Sequence, residues 1–304
     1  MNFFKYILIT IKNIYAYIYM NSYSLSTVCG RRLCKITGGK YDDKYIYLYD
    51  SKYKCCPNCK EECDGSCCND CCLYNYHHKS KNNKMIDYCK IEDEGVFMQA
   101  PTNIIKMRDC LNVSAKSGAG KSVYVANYLK EYRNLYSKNK VFLISMKKED
   151  ENLDAYIDKR INLNKYVEKG GLTIEDFGEN CFIVFDDIDQ LDNSKPDYLK
   201  DRIFKLMNQV IQISRSKNIG VVQTSHVCLG NSETKALLNA MTSFTFFYAA
   251  ISAQIKQCFK TYIGLSKQQI KRISSVKDSR WGTIFLTSPM VFLSEKECFI
   301  IGDE

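Results

Sequence analysis

The chain has 304 residues, of which 45% are hydrophobic, and this is enough apolar material for the core of one large or two modest globular domains. The formal net charge is +9, from 43 lysines and arginines against 34 aspartates and glutamates. This charge is compatible with a polyanionic partner such as nucleic acid, and equally with a solvated basic surface. Lys5, Lys12 and Asn13 interrupt the apolar start of the chain, which argues against a membrane-spanning helix there.

Three regions follow one another along the chain. Residues 1–54 form an N-terminal leader and a strand region, in which the alternation from Tyr45 to Tyr49 predicts a strand. Residues 55–84 are a cysteine-rich insert that ends in a run of lysines and asparagines. From residue 85 to residue 304, strand and helix patterns alternate, which predicts an α/β domain with a mainly parallel central sheet flanked by helices.

In the third region, short apolar segments predict buried strands and longer amphipathic segments predict helices. Strands are predicted at 95–100, 110–115, 141–146, 181–185, 219–223, 243–248, 281–286 and 298–301. Helices are predicted at 121–135, 197–216, 253–262 and 267–276.

The turn between the strand at 110–115 and the helix at 121–135 carries the phosphate-loop pattern, in which four residues precede Gly-Lys-Ser. Its residues are Ala115, Lys116, Ser117, Gly118, Ala119, Gly120, Lys121 and Ser122, with alanine at the first position, where glycine is usual. The glycines allow the loop to point N–H groups at phosphate, and the helix adds the positive end of its dipole. We expect Lys121 to contact the β- and γ-phosphates of ATP, and the Ser122 hydroxyl to bind magnesium.

An apolar strand that ends in two acids provides the second half of the expected site. Asp186 is the expected magnesium-shell carboxylate, and Asp187 is the candidate for polarising the attacking water. The alternative for Asp187 is a capping or solvated acid in an acidic loop. One complete strand, at 141–146, lies between the two motifs in sequence. This spacing favours the additional-strand P-loop ATPases over nucleotide kinases.

The strand at 219–223 ends in polar residues that can sense the γ-phosphate. Gln223 is the first candidate for this role and His226 the second. Arg215 is the first candidate for an arginine that neutralises charge in a neighbouring subunit's site, and Arg280 is the second. Each arginine has an alternative interpretation as a surface or salt-bridge residue.

Residues 95–304 resemble the FtsK-HerA branch of P-loop ATPases, and within it the DNA-packaging ATPases of poxviruses and other nucleocytoplasmic large DNA viruses. The segments that carry the resemblance are Ser117–Ser122, Val184–Asp187, Gly220–His226 and Asp278–Trp281. It implies a RecA-like fold, a homo-oligomeric ring, and ATP-driven movement of double-stranded DNA into a capsid, with capsid or packaging proteins as partners and no membrane. Many cellular relatives carry Asp-Glu where this chain has Asp186-Asp187, which weakens the transfer of a catalytic role to Asp187.

The cysteines are unevenly distributed, because eight of the 16 lie between Cys55 and Cys72. Within this block Cys56, Cys59, Cys68 and Cys71 form two Cys-x-x-Cys pairs, a spacing that suits tetrahedral Zn²⁺. The choice of four ligands stays open, because Cys55, Cys63, Cys67, Cys72, His77 and His78 lie in or close behind the same block. The alternative is a cysteine-rich insert without metal. A P-loop enzyme works where ATP is, so we expect a reducing compartment. The resemblance implies a cytoplasmic location, in a viral factory of an infected cell, or the virion.

A run of basic residues between 256 and 280 is a candidate surface for the DNA backbone. It contains Lys256, Lys260, Lys267, Lys271, Arg272 and Lys277 against a single acid, Asp278. Such a stripe could follow phosphates without sequence preference, or it could be the solvated face of two helices.

Two functions of different classes are compatible with these features. The first is an ATPase that moves double-stranded DNA, in viral genome packaging. The second is a nucleotide-dependent binding or regulatory module that holds a partner through the zinc-binding insert and turns over little ATP. A small-molecule kinase is a third option, but no arginine-rich lid supports it.

Overall fold

The fold consists of two β-sheets and five α-helices, seen in a computed structural model that describes residues 23–27, 30–50, 87–103, 108–163, 172–190, 197–226, 234–251 and 253–302. The strands are β1 (Tyr23–Ser26), β2 (Arg31–Thr37), β3 (Tyr45–Asp50), β4 (Tyr88–Lys90), β5 (Val96–Gln99), β6 (Cys110–Ser114), β7 (Lys140–Ser145), β8 (Lys159–Asn162), β9 (Cys181–Asp186), β10 (Ile219–Ser225), β11 (Ser243–Phe247), β12 (Trp281–Phe285), β13 (Val291–Ser294) and β14 (Glu297–Ile300). The cysteine-rich insert predicted at 55–84 lies outside the described residues.

The helices are α1 (Lys121–Leu135), α2 (Asp197–Lys217), α3 (Thr234–Ala240), α4 (Ala253–Cys258) and α5 (Lys267–Ser274). A π-helical segment, Phe259–Ile263, continues α4, and short 3₁₀ turns lie at Asp154–Tyr156, Ile174–Asp176, Ile188–Gln190 and Tyr248–Ala250. In the described part of the chain, none of the helices is both long and apolar enough to cross a bilayer.

The larger sheet has ten strands in the spatial order β4-β14-β13-β12-β11-β6-β10-β9-β7-β8. The run from β11 to β8 is parallel, and the run from β11 to β4 is antiparallel. This arrangement confirms the predicted α/β fold with a mainly parallel central sheet. In space, β10 separates the P-loop strand β6 from β9. Two strands, β7 and β8, and not the single expected one, lie between the two motifs in sequence, and both are on the far side of β9.

Alternation along the central strands distributes their side chains between two apolar layers. On β9, Phe182 and Val184 pack in the cluster that contains α1, whereas Ile183 and Phe185 pack in the cluster that contains α2. Both faces of the central strands are therefore covered, which explains why these strands read as continuous apolar runs in the sequence. A third cluster joins the short helices α3 to α5 to the antiparallel half of the sheet.

The smaller sheet joins regions that the sequence analysis treated as separate. Its four strands have the order β1-β3-β2-β5, and all three pairings are antiparallel. The segment at 95–100, expected in the P-loop domain, thus forms β5 and pairs with β2 of the N-terminal region. The division expected at residue 85 therefore cuts through a sheet. The physical reason for this arrangement is that the apolar face of a small antiparallel sheet must be buried to be stable. Here that face packs against α1.

A polar contact reinforces this packing between the small sheet and α1. Lys35 Nζ on β2 donates to Glu131 Oε2 on α1 at 3.0 Å, and the Tyr45 hydroxyl on β3 donates to the same carboxylate. Burial would raise the pKa of Glu131, but the hydrogen bonds from Tyr45 and Lys35 outweigh it and hold this pKa below its ordinary value.

Candidate nucleotide site

The P-loop begins at the end of β6 and runs into the first turn of α1. The Ala115 N–H donates to the Ser225 carbonyl at 3.0 Å, which joins the start of the loop to the end of β10. Gly118 has φ 73° and Gly120 has φ 103°, a left-handed region that residues with a Cβ rarely adopt. Lys116 and Ser117 are exposed between these anchored ends. The loop therefore has the backbone torsions that its sequence predicts.

Lys121 is folded back over its own loop. Its side chain is only 7% exposed, and Nζ donates to the Ala115 carbonyl at 3.0 Å. The same ammonium lies 3.4 Å from Asp187 Oδ1 and 3.3 Å from His226 Nε2. The cation of the P-loop is thus paired directly with an acid from the end of β9.

Asp186 is a buried carboxylate that is held from both sides of β9. Its Oδ1 accepts a hydrogen bond from the Thr224 hydroxyl on β10 at 2.9 Å. Its Oδ2 accepts one from the Ser145 hydroxyl on β7 at 3.0 Å. Because both neighbouring strands donate to this carboxylate, its position relative to the P-loop is fixed by the sheet.

Asp187 follows in a left-handed conformation, with φ 48°. Its N–H donates to Thr224 Oγ1 at 2.9 Å, and its Oδ2 lies 3.2 Å from His226 Nε2. Burial would raise the pKa of Asp187, but Lys121 and His226 outweigh it, so the pKa is lowered and the group is a carboxylate at neutral pH. A single hydroxyl, that of Thr224, therefore contacts both acids of the motif.

The oxygen ligands around the P-loop serine fit Mg²⁺, which binds oxygen through one or two carboxylates together with substrate phosphates. The Ser122 hydroxyl donates to Asp150 Oδ2 at 3.2 Å, and Asp150 lies in the loop after β7. Among the described residues, no three His, Cys, Asp or Glu side chains form a metal-binding group on their own. Ser122, Asp186 and Asp150 are thus the residues on this side of the site that suit a magnesium ion.

Gln223 does not join this network. Successive side chains on a strand point to opposite faces, and since Thr224 contacts both acids, Gln223 lies on the other face of the sheet. Gln223 is 1% exposed, and neither its Oε1 nor its Nε2 has a hydrogen-bond partner within the described ranges. Three residues that the sequence analysis did not single out contact the expected magnesium ligands. Thr224 and Ser145 donate to Asp186, and Asp150 accepts from Ser122.

The two candidate arginines lie on different elements: Arg215 is on α2, and Arg280 directly precedes β12, where its carbonyl accepts the Tyr248 N–H. Arg215 is exposed in the last turn of α2. Burial lowers the pKa of Arg108, which precedes β6, and the nearby charge of Arg215 lowers this pKa further. Arg280 is paired with Glu295, at 2.6 Å from Nη2 to Oε1. A role for either arginine in a neighbouring subunit stays a prediction. The zinc ligands expected at Cys56, Cys59, Cys68 and Cys71 lie outside the described residues.

The parallel sheet, the glycine loop between β6 and α1 and the acids at the end of β9 together define a P-loop NTPase fold. No protein-family model matches the chain. The chain is 30% identical over 263 residues to "Uncharacterized protein V3" of Sputnik virophage, and the alignment covers 86% of this chain and 91% of that protein. The chain therefore belongs to the family of this virophage protein.

Similar solved structures include a viral genome packaging NTPase and a conjugation coupling protein. The first is B204 of Sulfolobus turreted icosahedral virus 2 in complex with AMPPCP, with a TM-score of 0.42 and 11% identity over 61% of this chain and 97% of that chain. The second is the pCW3 coupling protein TcpA with ATPγS, with a TM-score of 0.42 and 13% identity over 88% of this chain and 76% of that chain. Similarity at this distance carries no conclusion about activity.

Proposed function

We propose that the protein is a P-loop ATPase that couples ATP hydrolysis to the movement of double-stranded DNA in viral genome packaging. The observation that carries the ATPase proposal is the pairing of Lys121 with Asp187 beside the buried Asp186. Three chain segments converge there: the P-loop after β6 provides the lysine, the end of β9 provides the acids, and Thr224 and His226 at the end of β10 contact the acids.

In this proposal, the triphosphate replaces Asp187 as the counterion of Lys121. Lys121 then neutralises charge on the β- and γ-phosphates. Asp187, released from one cationic partner, accepts a proton from the water that attacks the γ-phosphorus. The bond between the γ-phosphorus and the β–γ bridging oxygen breaks, which gives ADP and phosphate. Ser122 and Asp186 would hold Mg²⁺, which supplies charge neutralisation on the phosphate oxygens.

We assign the sensing role expected of Gln223 to Thr224 and His226. Thr224 contacts Asp186 and Asp187, and His226 contacts Asp187 and Lys121. Both residues belong to the end of β10 or directly follow it. A change of partner at Lys121 or Asp187 would therefore be transmitted to the end of β10 through direct hydrogen bonds.

Replacing Asp187 distinguishes turnover from simple nucleotide binding. In Asp187→Ala we expect nucleotide affinity to be kept, because the phosphates still pair with Lys121, and kcat to fall by at least about 100-fold for loss of the base. Asp201→Ala, at an exposed acid on α2, is the matched control. A module that binds nucleotide without turnover would show the same low rate in the wild type and in both variants.

Double-stranded DNA is proposed as the substrate because the candidate stripe is accessible. Lys256, Lys260, Lys267, Lys271, Arg272 and Lys277 are all exposed. The resemblance of the ATPase motifs to packaging ATPases also supports DNA, a homo-oligomeric ring and capsid or packaging partners. Zinc binding by the cysteine block stays a proposal beside these.

The DNA proposal is tested by measuring the ATPase rate with and without duplex DNA across a range of salt concentrations. We expect DNA to stimulate the rate. In DNA-binding measurements, Lys271→Gln should reduce the magnitude of the slope of log DNA affinity against log salt concentration by about 0.9 if Lys271 contacts one phosphate. Lys205→Gln, at an exposed lysine on α2, should leave the slope unchanged. A rate that DNA does not alter at any salt concentration would count against movement of DNA.

A further inference from the structure

A lysine in the loop after β7 lies among the acids of the candidate metal site. Lys147 Nζ is 3.3 Å from Asp150 Oδ2, 3.5 Å from Asp186 Oδ2 and 3.9 Å from Asp187 Oδ2. The acids differ from the lysine in their access to solvent. The side chains of Asp150 and Asp186 are 8% and 1% exposed, whereas that of Lys147 is 45% exposed.

The backbone of Lys147 is fixed, although its side chain is not enclosed. Its N–H donates to Ser145 Oγ at 3.1 Å, and its carbonyl accepts from Arg160 Nη1 at 2.8 Å. The same Ser145 hydroxyl holds Asp186. The loop thus fixes the backbone position of Lys147 beside the acids. Its long, flexible side chain allows the ammonium to move without any change in the backbone.

The ammonium competes for the oxygens that a divalent cation would use. Asp150 Oδ2 accepts from both Lys147 and Ser122, and Asp186 Oδ2 accepts from Ser145 and lies beside Lys147. Two cations cannot both approach these oxygens without strong repulsion at such short distances. Either the lysine or the metal therefore occupies this position at any one time.

We propose that Lys147 is a tethered cation that neutralises the metal-site acids of the nucleotide-free protein and must leave when Mg²⁺ binds. This inference rests on the proposed nucleotide site and names a positioning residue that acts through Asp150 and Asp186. It makes metal binding weak in the absence of nucleotide, because the metal has to displace a built-in counterion. The phosphates of the nucleotide then offer the displaced ammonium a new partner, so metal and nucleotide bind together.

The test measures Mn²⁺ affinity of the full chain without nucleotide, by electron paramagnetic resonance. Lys147→Met removes the charge but keeps an apolar stem of similar length, and we expect it to bind Mn²⁺ about tenfold more tightly than the wild type. Lys147→Arg should stay close to the wild type, because it keeps the charge. Lys148→Met, at the exposed neighbouring lysine, controls for the loss of one surface charge, and Asp186→Asn should weaken binding in every background.

A second readout separates charge compensation from a purely structural role. In buffer that contains a metal chelator, Lys147→Met should unfold at a lower temperature than the wild type, because the acids lose their counterion. Millimolar Mg²⁺ should remove this difference in unfolding temperature. A structural role would lower stability with and without metal. The inference is refuted if Mn²⁺ affinity of folded Lys147→Met stays within twofold of the wild type. Neither readout needs ATP turnover, so a chain without ATPase activity would refute the proposed function while leaving this test intact.

Discussion

The hydroxyl of Thr224 allows the sharpest test of the site, because one proton serves two acids. Thr224 Oγ1 lies 2.9 Å from Asp186 Oδ1 and 3.1 Å from Asp187 Oδ1, and it accepts the Asp187 N–H at 2.9 Å. A hydroxyl has a single proton to donate, so these three contacts amount to one charge-assisted hydrogen bond and one accepted N–H.

Thr224→Val keeps the shape of this side chain and removes both hydrogen bonds. A hydrogen bond to a charged group contributes about 1.5–3 kcal/mol and a neutral one about 0.5–1.5 kcal/mol. Thr224 is fully buried, so water does not replace the lost donor. We therefore expect the free energy of unfolding to fall by about 2–4 kcal/mol, which for a chain of 304 residues corresponds to a decrease in Tm of about 3–6 °C.

Urea denaturation in metal-free buffer provides the measurement, with Thr224→Ser as the matched control. Serine keeps the hydroxyl and loses one buried methyl group, which costs about 1 kcal/mol. Valine should therefore be clearly less stable than serine, and it should lower kcat more, because both acids lose their common partner. If valine is as stable as serine or more so, the hydroxyl does not hold the acids and the geometry argued for this site is incorrect.

Three further changes test other parts of the fold. The pKa of Glu131 is lowered in the folded state, so its contribution to stability is present above the unfolded pKa and is lost as pH falls through the folded pKa. The difference in unfolding free energy between the wild type and Glu131→Gln should therefore shrink as pH falls from 6 to below 4. A constant difference would contradict this. Gly120→Ala places a Cβ at φ 103°, so we expect a loss of about 1–2 kcal/mol and weaker nucleotide binding by titration calorimetry; unchanged affinity would show that the loop tolerates another torsion. In Gly220→Ala the new Cβ would lie 2.3 Å from a ring atom of Phe182, so urea denaturation should show a loss of about 1–3 kcal/mol, and a neutral result would mean that the ring can shift.

The elements that the sequence predicted well are those with a strong local signal. The helix at 121–135 has the predicted bounds, because glycine at its start and a periodic apolar face define it locally. The apolar strands of the parallel sheet were equally evident, because both of their faces are buried. Five strands were not predicted, namely β1, β2, β4, β8 and β13. Four of them have only three or four residues, which carry too little periodicity to distinguish a strand from a loop.

The residues that contact the site depend on the pairing register of the strands, which a local sequence pattern does not determine. The expected strand ended at Gln223, but β10 continues to Ser225, and its pairing with β9 places Val222 in the layer of α1. Thr224 shares that face, and Gln223 does not. Asp150 escaped notice for a related reason, because its contact with Ser122 joins loops after two strands that are separated in the sheet by β10 and β9.

The charges of the site suggest why nucleotide binding can change its geometry at a small net electrostatic cost. Without nucleotide, Lys121 pairs with Asp187 and Lys147 lies beside Asp186. In our proposals, phosphate replaces the acid at Lys121 and Mg²⁺ replaces the ammonium at Asp186, so each group exchanges one partner of opposite charge for another. Thr224 contacts both acids, so an adjustment of their positions would be transmitted to β10 through one buried hydroxyl. Loss of this hydroxyl should accordingly weaken the dependence of DNA binding on nucleotide, as well as the stability of the fold.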